Sequence, residues 1–307
     1  MKFVRKVCLP PGIFRIIYTI AFIILLCPAG LFARQFVVLK SQDLGPYNET
    51  VNGILSSTKN TPQVFSLSGD SEKINQVAAV LSTPPDLFIA IGTQSAAAIR
   101  SVYPQSSMIF AMIPRARGQS LVDRKTSGIY LDLTFESQLK LIQKMLPKVQ
   151  RVGIVLSEDN QLADERDLVR KGQEMGFTIV IRRTPDVSRF SDVLSTIIDQ
   201  IDLFLILPDP LWGQKETVFY LREKLVDRNI PFVAFSQALV KMGAIMAFSP
   251  DYAKLGRQLG EILDNFAAGE PLKAPADPPF RVIVNRTLMN QHGLVIPSQL
   301  SDKVDYQ

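Results

Sequence analysis

Two short segments carry residue types that can hold a small polar molecule. Gly92-Thr93-Gln94-Ser95 follows the apolar run DLFIAI and opens an expected helix. Backbone N–H groups at a helix start, with the hydroxyls of Thr93 and Ser95, can bind a carboxylate or another anion. The same hydroxyls can cap the helix, and the two roles are compatible. Asp209, in Leu207-Pro208-Asp209-Pro210, lies just past a second apolar run. There it either shapes a turn between prolines or presents a carboxylate to a ligand amine or hydroxyl. Trp212, the single tryptophan, shares that loop and can stack on an apolar ligand or anchor the loop itself. Arg115 and Arg117, in Pro114-Arg115-Ala116-Arg117-Gly118, have the fork geometry for bidentate capture of an anion, with a solvated loop as the alternative.

The chemistry that is missing narrows the field. Neither G-x-G-x-x-G nor G-x-x-x-x-G-K-[ST] occurs, and G-x-S-x-G is absent too. Both cysteines, Cys8 and Cys27, lie among the first 33 residues, and His292 is the only histidine. The remaining body therefore lacks the usual zinc ligands and a thiolate nucleophile. His292, in Asn290-Gln291-His292-Gly293, fits a helix end or the surface. Paired carboxylates are not excluded by composition, but no nucleophile–base set is visible. Binding without a cofactor, rather than catalysis, is the expectation.

These residues need strands and helices to position them. Apolar runs at Phe36 to Lys40, Gln63 to Ser68, Asp86 to Gly92 and Ser107 to Ile113 alternate with helical stretches. The pattern restarts after Ser127 to Thr134. Runs at Arg151 to Ser157, Phe177 to Arg183, Asp202 to Leu207, Pro231 to Ser236, Gly243 to Phe248 and Arg281 to Asn285 are again separated by helices. Continuous apolar strands alternating with helices indicate parallel sheets covered on both faces. The fold class is α/β, with two doubly wound lobes of about four or five strands each, a hinge and an interlobe ligand cleft. In such sheets ligands sit beyond the carboxyl ends of the strands. That rule selects Ser41 to Tyr47, Ser68 to Asp70, Gly92 to Ser95, Pro114 to Gly118, Ser157 to Gln161, Pro208 to Trp212, and Ser236-Gln237. Tyr47, Ser157, Asn160 and Ser236 thereby join the candidates.

The first 33 residues read differently. Lys2, Arg5 and Lys6 precede an uncharged stretch from Ile16 to Ala33, interrupted by Pro28-Ala29-Gly30. This is the pattern of a signal peptide ending near Leu31-Phe32-Ala33. The alternative is a retained anchor, since 18 uncharged residues are near the minimum for spanning about 30 Å of hydrocarbon. Four of the 34 basic residues and no acidic ones lie here, which leaves 30 basic against 29 acidic residues in the body. A near-neutral body offers no broad surface for nucleic acid.

Several segments together resemble the ABC-transporter substrate-binding protein family, with its type I periplasmic-binding-protein fold. They are DLFIAIGTQSAAA (residues 86–98), residues 128–147, residues 151–157, PFVAFSQALVKMGAIMAFS (231–249), DYAKLGRQLGEILDNFAAGEP (251–271), and Val284-Asn285 followed by HGLVIP (292–297). The resemblance covers nearly all the chain after the leader. It implies a periplasmic receptor whose lobes close on a small solute, an amino acid or related compound among the options, and present it to an inner-membrane ABC permease. It also implies that the loops matching Gly92-Thr93, Ser157 to Asn160 and Asp209 line the cleft. Because the fold crosses between lobes three times, residues 34–131 with about 250–280 are expected in lobe 1, and 132–249 with about 281–307 in lobe 2. Many members carry Asp-Pro where this chain has Pro114-Arg115-Ala116-Arg117, which implies a ligand of different charge or a repurposed cleft; family ligands vary, so the ligand does not transfer. A monomer or weak dimer is expected, and a sensing or interaction module of the same fold is the alternative function.

Overall fold

A computed structural model describes residues 34–81, 83–160 and 164–307, and the leader read above lies outside the described residues. The first sheet contains β1 (Phe36–Lys40), β2 (Gln63–Ser66), β3 (Leu87–Ile91), β4 (Ser107–Ile113) and β5 (Thr126–Tyr130), in the order β2-β1-β3-β4-β5. All its pairs are parallel. Side chains alternate between two faces. Val37, Leu39, Phe88, Ala90 and Phe110 pack in one apolar cluster, and Phe36, Val38, Ile89, Ile91 and Ile109 in another. Burial on both faces explains why these strands read as unbroken apolar runs.

The second sheet contains β6 (Arg151–Ser157), β7 (Thr178–Thr184), β8 (Leu203–Leu205), β9 (Phe232–Ala234), β10 (Met246–Pro250), β11 (Phe280–Val284) and β12 (Val304–Tyr306). Their order is β12-β11-β10-β9-β8-β6-β7, and only the β10–β11 pair is antiparallel. Two apolar clusters again cover opposite faces. The sheet is larger than the four or five strands expected. β12 has only three residues and too few apolar positions to register as a strand. It covers the open edge of β11, and Arg281 on β11 pairs with Asp305 on β12. The protein thus has a two-lobed α/β fold, each lobe built on one sheet.

The helix Tyr252–Ala267 follows β10 of the second sheet, yet its Leu255, Leu259 and Leu263 pack in the first lobe. It lies against helix Gly45–Ser57 at backbone distance. A Cβ added to Gly256 would fall 2.1 Å from the Thr50 carbonyl oxygen and 2.8 Å from Gly53 Cα. Asp264, near the end of the same helix, accepts hydrogen bonds from Thr58 Oγ1 (2.5 Å) and Asn60 Nδ2 (2.7 Å).

The segments passing between the sheets are fastened to one another. Asp251 N–H donates to the Pro279 carbonyl at 2.9 Å, Tyr130 N–H to Ala276 at 3.0 Å, and Leu131 N–H to Ile113 at 2.9 Å. Gly256→Ala should cost about 1–3 kcal/mol in urea-induced unfolding, since both clashing atoms belong to the backbone. Gly213→Ala, where an added Cβ meets open space, should change stability by less than about 0.5 kcal/mol.

Candidate functional site

On the first lobe, β1 and β3 lie side by side at the topological switch point, the place where open α/β sheets bind ligands. Gly92 adopts φ +95°, and a Cβ there would lie 2.6 Å from Ser41 Oγ and 2.8 Å from Tyr47 Cε1. The glycine therefore lets Ser41 and the half-buried Tyr47 ring close over the turn. Ser41 Oγ accepts from the Ser95 N–H at 3.0 Å, and Ser95 Oγ donates to the Gly92 carbonyl at 2.8 Å. Ser95 is fully buried and its hydroxyl is occupied in holding the turn. Thr93 and Gln94 stand outward of it, partly and fully exposed. Their N–H groups belong to the first turn of helix Thr93–Val102, which has no intrahelical acceptor for them.

Nearby, Asp43 binds Lys40 Nζ at 2.5 Å and accepts from Ser66 Oγ (2.7 Å) and Ser68 Oγ (3.1 Å). These bonds, that from Lys40 first, hold its carboxyl at about 2. Met112, at the end of β4, has φ +55° and sits at a break in register against β5. The bulge turns the chain into Pro114 and Arg115.

On the second lobe, Asp209 gathers two strand ends. Its Oδ2 accepts from Ser157 N–H (3.0 Å), Ser157 Oγ (3.1 Å) and Asn160 Nδ2 (2.7 Å). Its Oδ1 accepts from the Leu211 N–H at 2.9 Å, capping the 3-10 turn Pro210–Gly213. Asp209, Ser157 and Asn160 are thus one unit. Arg183 completes it, pairing with Glu165 and donating to the carbonyls of Ser157 (2.8 Å) and Asn160 (3.0 Å).

The other two candidates of this lobe have structural partners. Trp212 is 8% exposed and packs edge-on against Phe190 and Phe204, with centroids 5.6 and 6.0 Å away. Ser236 caps helix Gln237–Lys241 through the Leu239 N–H.

Between these rims lies a cavity of about 390 Å³, lined from both lobes and from the connecting segment Asp132–Thr134. Arg115 and Asn160 are the candidates that line it. Leu133, Phe135, Leu168 and Leu207 supply apolar wall, and Asp132, Glu136, Asp167 and Lys171 form a charged end. Lys171 Nζ sits 2.9 Å from both Glu136 Oε1 and Asp167 Oδ2. Glu136 Oε2 is buried and has no hydrogen-bond partner. Arg115 donates its backbone N–H to Asp132 Oδ1 at 2.7 Å, while its guanidinium pairs with Asp277 and lies 4.0 Å above the Tyr130 ring. Burial raises the Asp132 carboxyl above its ordinary value, outweighing the Arg115 N–H bond. The arrangement suits a ligand with opposite charges at one end and an apolar body. No group of three metal-ligating side chains occurs among the described residues.

Sequence reasoning did not select Asp132, Glu136, Lys171 or Arg183. Asp132 belongs to the expected interlobe joint, which was a usable signal. The other three lie within helices or a strand and gave none.

Two lobes with a lined cavity between them define a ligand-binding protein of the periplasmic-binding-protein architecture. The model of the ABC transporter substrate binding protein family matches residues 54–305, and this chain belongs to that family. A tyrosine-binding protein of Clostridioides difficile (strain R20291) is 24% identical over 191 residues, covering 59% of this chain and 54% of that protein. The chain therefore spans about half the length of that relative. Among solved structures, a ligand-free, open substrate binding protein with adhesive properties from Clostridium difficile superposes with a TM-score of 0.74. Its identity is 18%, over 90% of this chain and 99% of that one. An ABC domain in complex with L-Trp, from Streptococcus pneumonia, gives 0.60 at 17% identity, over 89% and 99%. The family and these neighbours are binding proteins, not enzymes.

Asp209→Ala removes the acceptor of four donors at two strand ends and should cost about 1–3 kcal/mol in urea unfolding. Asp132 provides a separate test through pH. Its folded value is raised, so its contribution is fully present below the ordinary 3.8 and is lost as pH rises through the folded value. In Asp132→Asn the fall in melting temperature between 3.8 and the folded value should flatten.

Proposed function

We propose that this protein is the solute receptor of an ABC importer, taking an amino acid with a large apolar side chain and delivering it to a permease. Residues 1–33 export it to the periplasm. Residues 34–131 with about 250–280 act as one lobe, and 132–249 with about 281–307 as the other. The cavity of about 390 Å³ carries the reading, because it combines a charged end with apolar walls and draws on both lobes.

Asp132, at the cavity wall, is the acceptor for the ligand ammonium. Lys171, which bridges Glu136 and Asp167 at the cavity wall, answers the carboxylate. Phe135, Leu168 and Leu207 cover the side chain. The names of the tyrosine-binding relative and the L-Trp complex support the same ligand class. Binding across both lobes favours the closed arrangement by the difference in affinity between the two states. Among the described residues, no helix is long and apolar enough to cross a membrane.

The test is a thermal-shift screen of residues 34–307, unfolded and refolded to remove carried ligand, against amino acids, sugars, nucleosides and polyamines. Aromatic or large aliphatic amino acids should stabilise the protein by about 2.7 kcal/mol at 100 times their dissociation constant. Lys171→Ala and Asp132→Asn should weaken that ligand at least tenfold. A response confined to sugars or nucleosides, or none, overturns the ligand class. Loaded protein should also stimulate ATP hydrolysis by its reconstituted permease. Binding without stimulation would assign the chain to sensing.

A further inference from the structure

A second concavity, of about 400 Å³, lies at the opposite end of the second sheet from the cleft. It is framed by Pro231 and Phe232 at the start of β9, Gly243 ahead of β10, and Asn285 after the antiparallel β11. Arg222, Lys241 and His292 line it, from three separate helices or helix ends, and no carboxylate does. Neither Arg222 nor Lys241 has an ion-pair partner among the described residues. The contrast with their surroundings is direct, because Lys224 pairs with Glu223 and Arg228 with Asp199.

Arg222 is also held in position. Gly243 has φ +115°, and a Cβ there would fall 2.7 Å from Arg222 Cδ and 3.0 Å from its Nε. The bare glycine lets the arginine stem lie across the turn, while the side chain as a whole stays exposed. Asn229 and Gln291 add neutral donors at the rim.

We propose that this concavity is an anion site that takes a phosphate group, separate from the solute cleft. A phosphate oxyanion matches a guanidinium fork and an ammonium in one pocket without a competing carboxylate. Two sources present that chemistry, free phosphate and the phosphodiester of an anionic lipid. Phe219 and Val226 stand exposed three residues before and four after Arg222 on the same helix, where they would meet a bilayer surface.

The experiment titrates the full chain with inorganic phosphate and pyrophosphate, followed by calorimetry and 31P line width. In parallel, its sedimentation is measured with phosphatidylglycerol and phosphatidylcholine vesicles. Each arm compares the wild type with Arg222→Ala/Lys241→Ala and with Gly243→Ala, which keeps every charge but displaces the Arg222 stem. Binding of the soluble anions that falls at least tenfold in the double variant and several-fold in Gly243→Ala supports a free-phosphate site. Binding confined to phosphatidylglycerol vesicles, reduced in both variants and in Phe219→Ala, supports a headgroup site. Unchanged far-UV circular dichroism and a cooperative unfolding transition identify folded variants and keep this test independent of the cleft. No binding in either arm, or binding equal in wild type and folded variants, overturns the proposal.

Discussion

Helix Tyr252–Ala267 comes from the second half of the chain but rests on the first sheet. It can do so because Gly53, Gly256 and Gly260 let two helix backbones meet. Ordinary side chains on that line would hold the helices apart, near the usual 8–10 Å separation of axes. With the helix seated there, the chain must leave the second sheet after β10 and return at β11. Together with the passage from β5 to helix Phe135–Met145, this gives three connections. Backbone bonds through Ala276, Pro279, Tyr130 and Asp251 fasten them side by side. Adjacent connections permit the lobes to rotate about a shared line and resist sliding, which is the geometry of hinge closure.

The same constraint decides which polar groups are available to a ligand. At the ends of the strands, Asp43 and Asp209 are surrounded by hydroxyl, amide or ammonium donors from their own lobes and hold loops in place. Beside the hinge, Asp132 and Glu136 face the cavity with fewer partners. Asp132 is buried enough for its charge to be disfavoured, and Glu136 keeps one oxygen unpaired. A buried acceptor without a donor costs free energy until something supplies one.

Strand positions were largely legible because each strand is buried on both faces and so forms a short continuous apolar run. β4 and β6 lie where the runs SMIFAMI and RVGIVLS indicate. β12 was not legible, since Val304–Tyr306 is a strand only because β11 offers an open edge. The loops beyond the strand ends could be selected from topology, and Gly92 in particular marks a turn whose covering residues leave no room for a side chain.

The sequence by itself determined the two α/β arrays and the family. These depend on periodicity, run length and the order of segments, all local or additive along the chain. Only the tertiary structure decided what each candidate side chain touches. Asp209 meets Ser157 and Asn160 from a distant strand end, Trp212 turns into the core between Phe190 and Phe204, and Lys171 meets Glu136 from another helix. Whether a charge is free for a ligand depends on donors and acceptors brought close by folding, and no local pattern encodes that proximity.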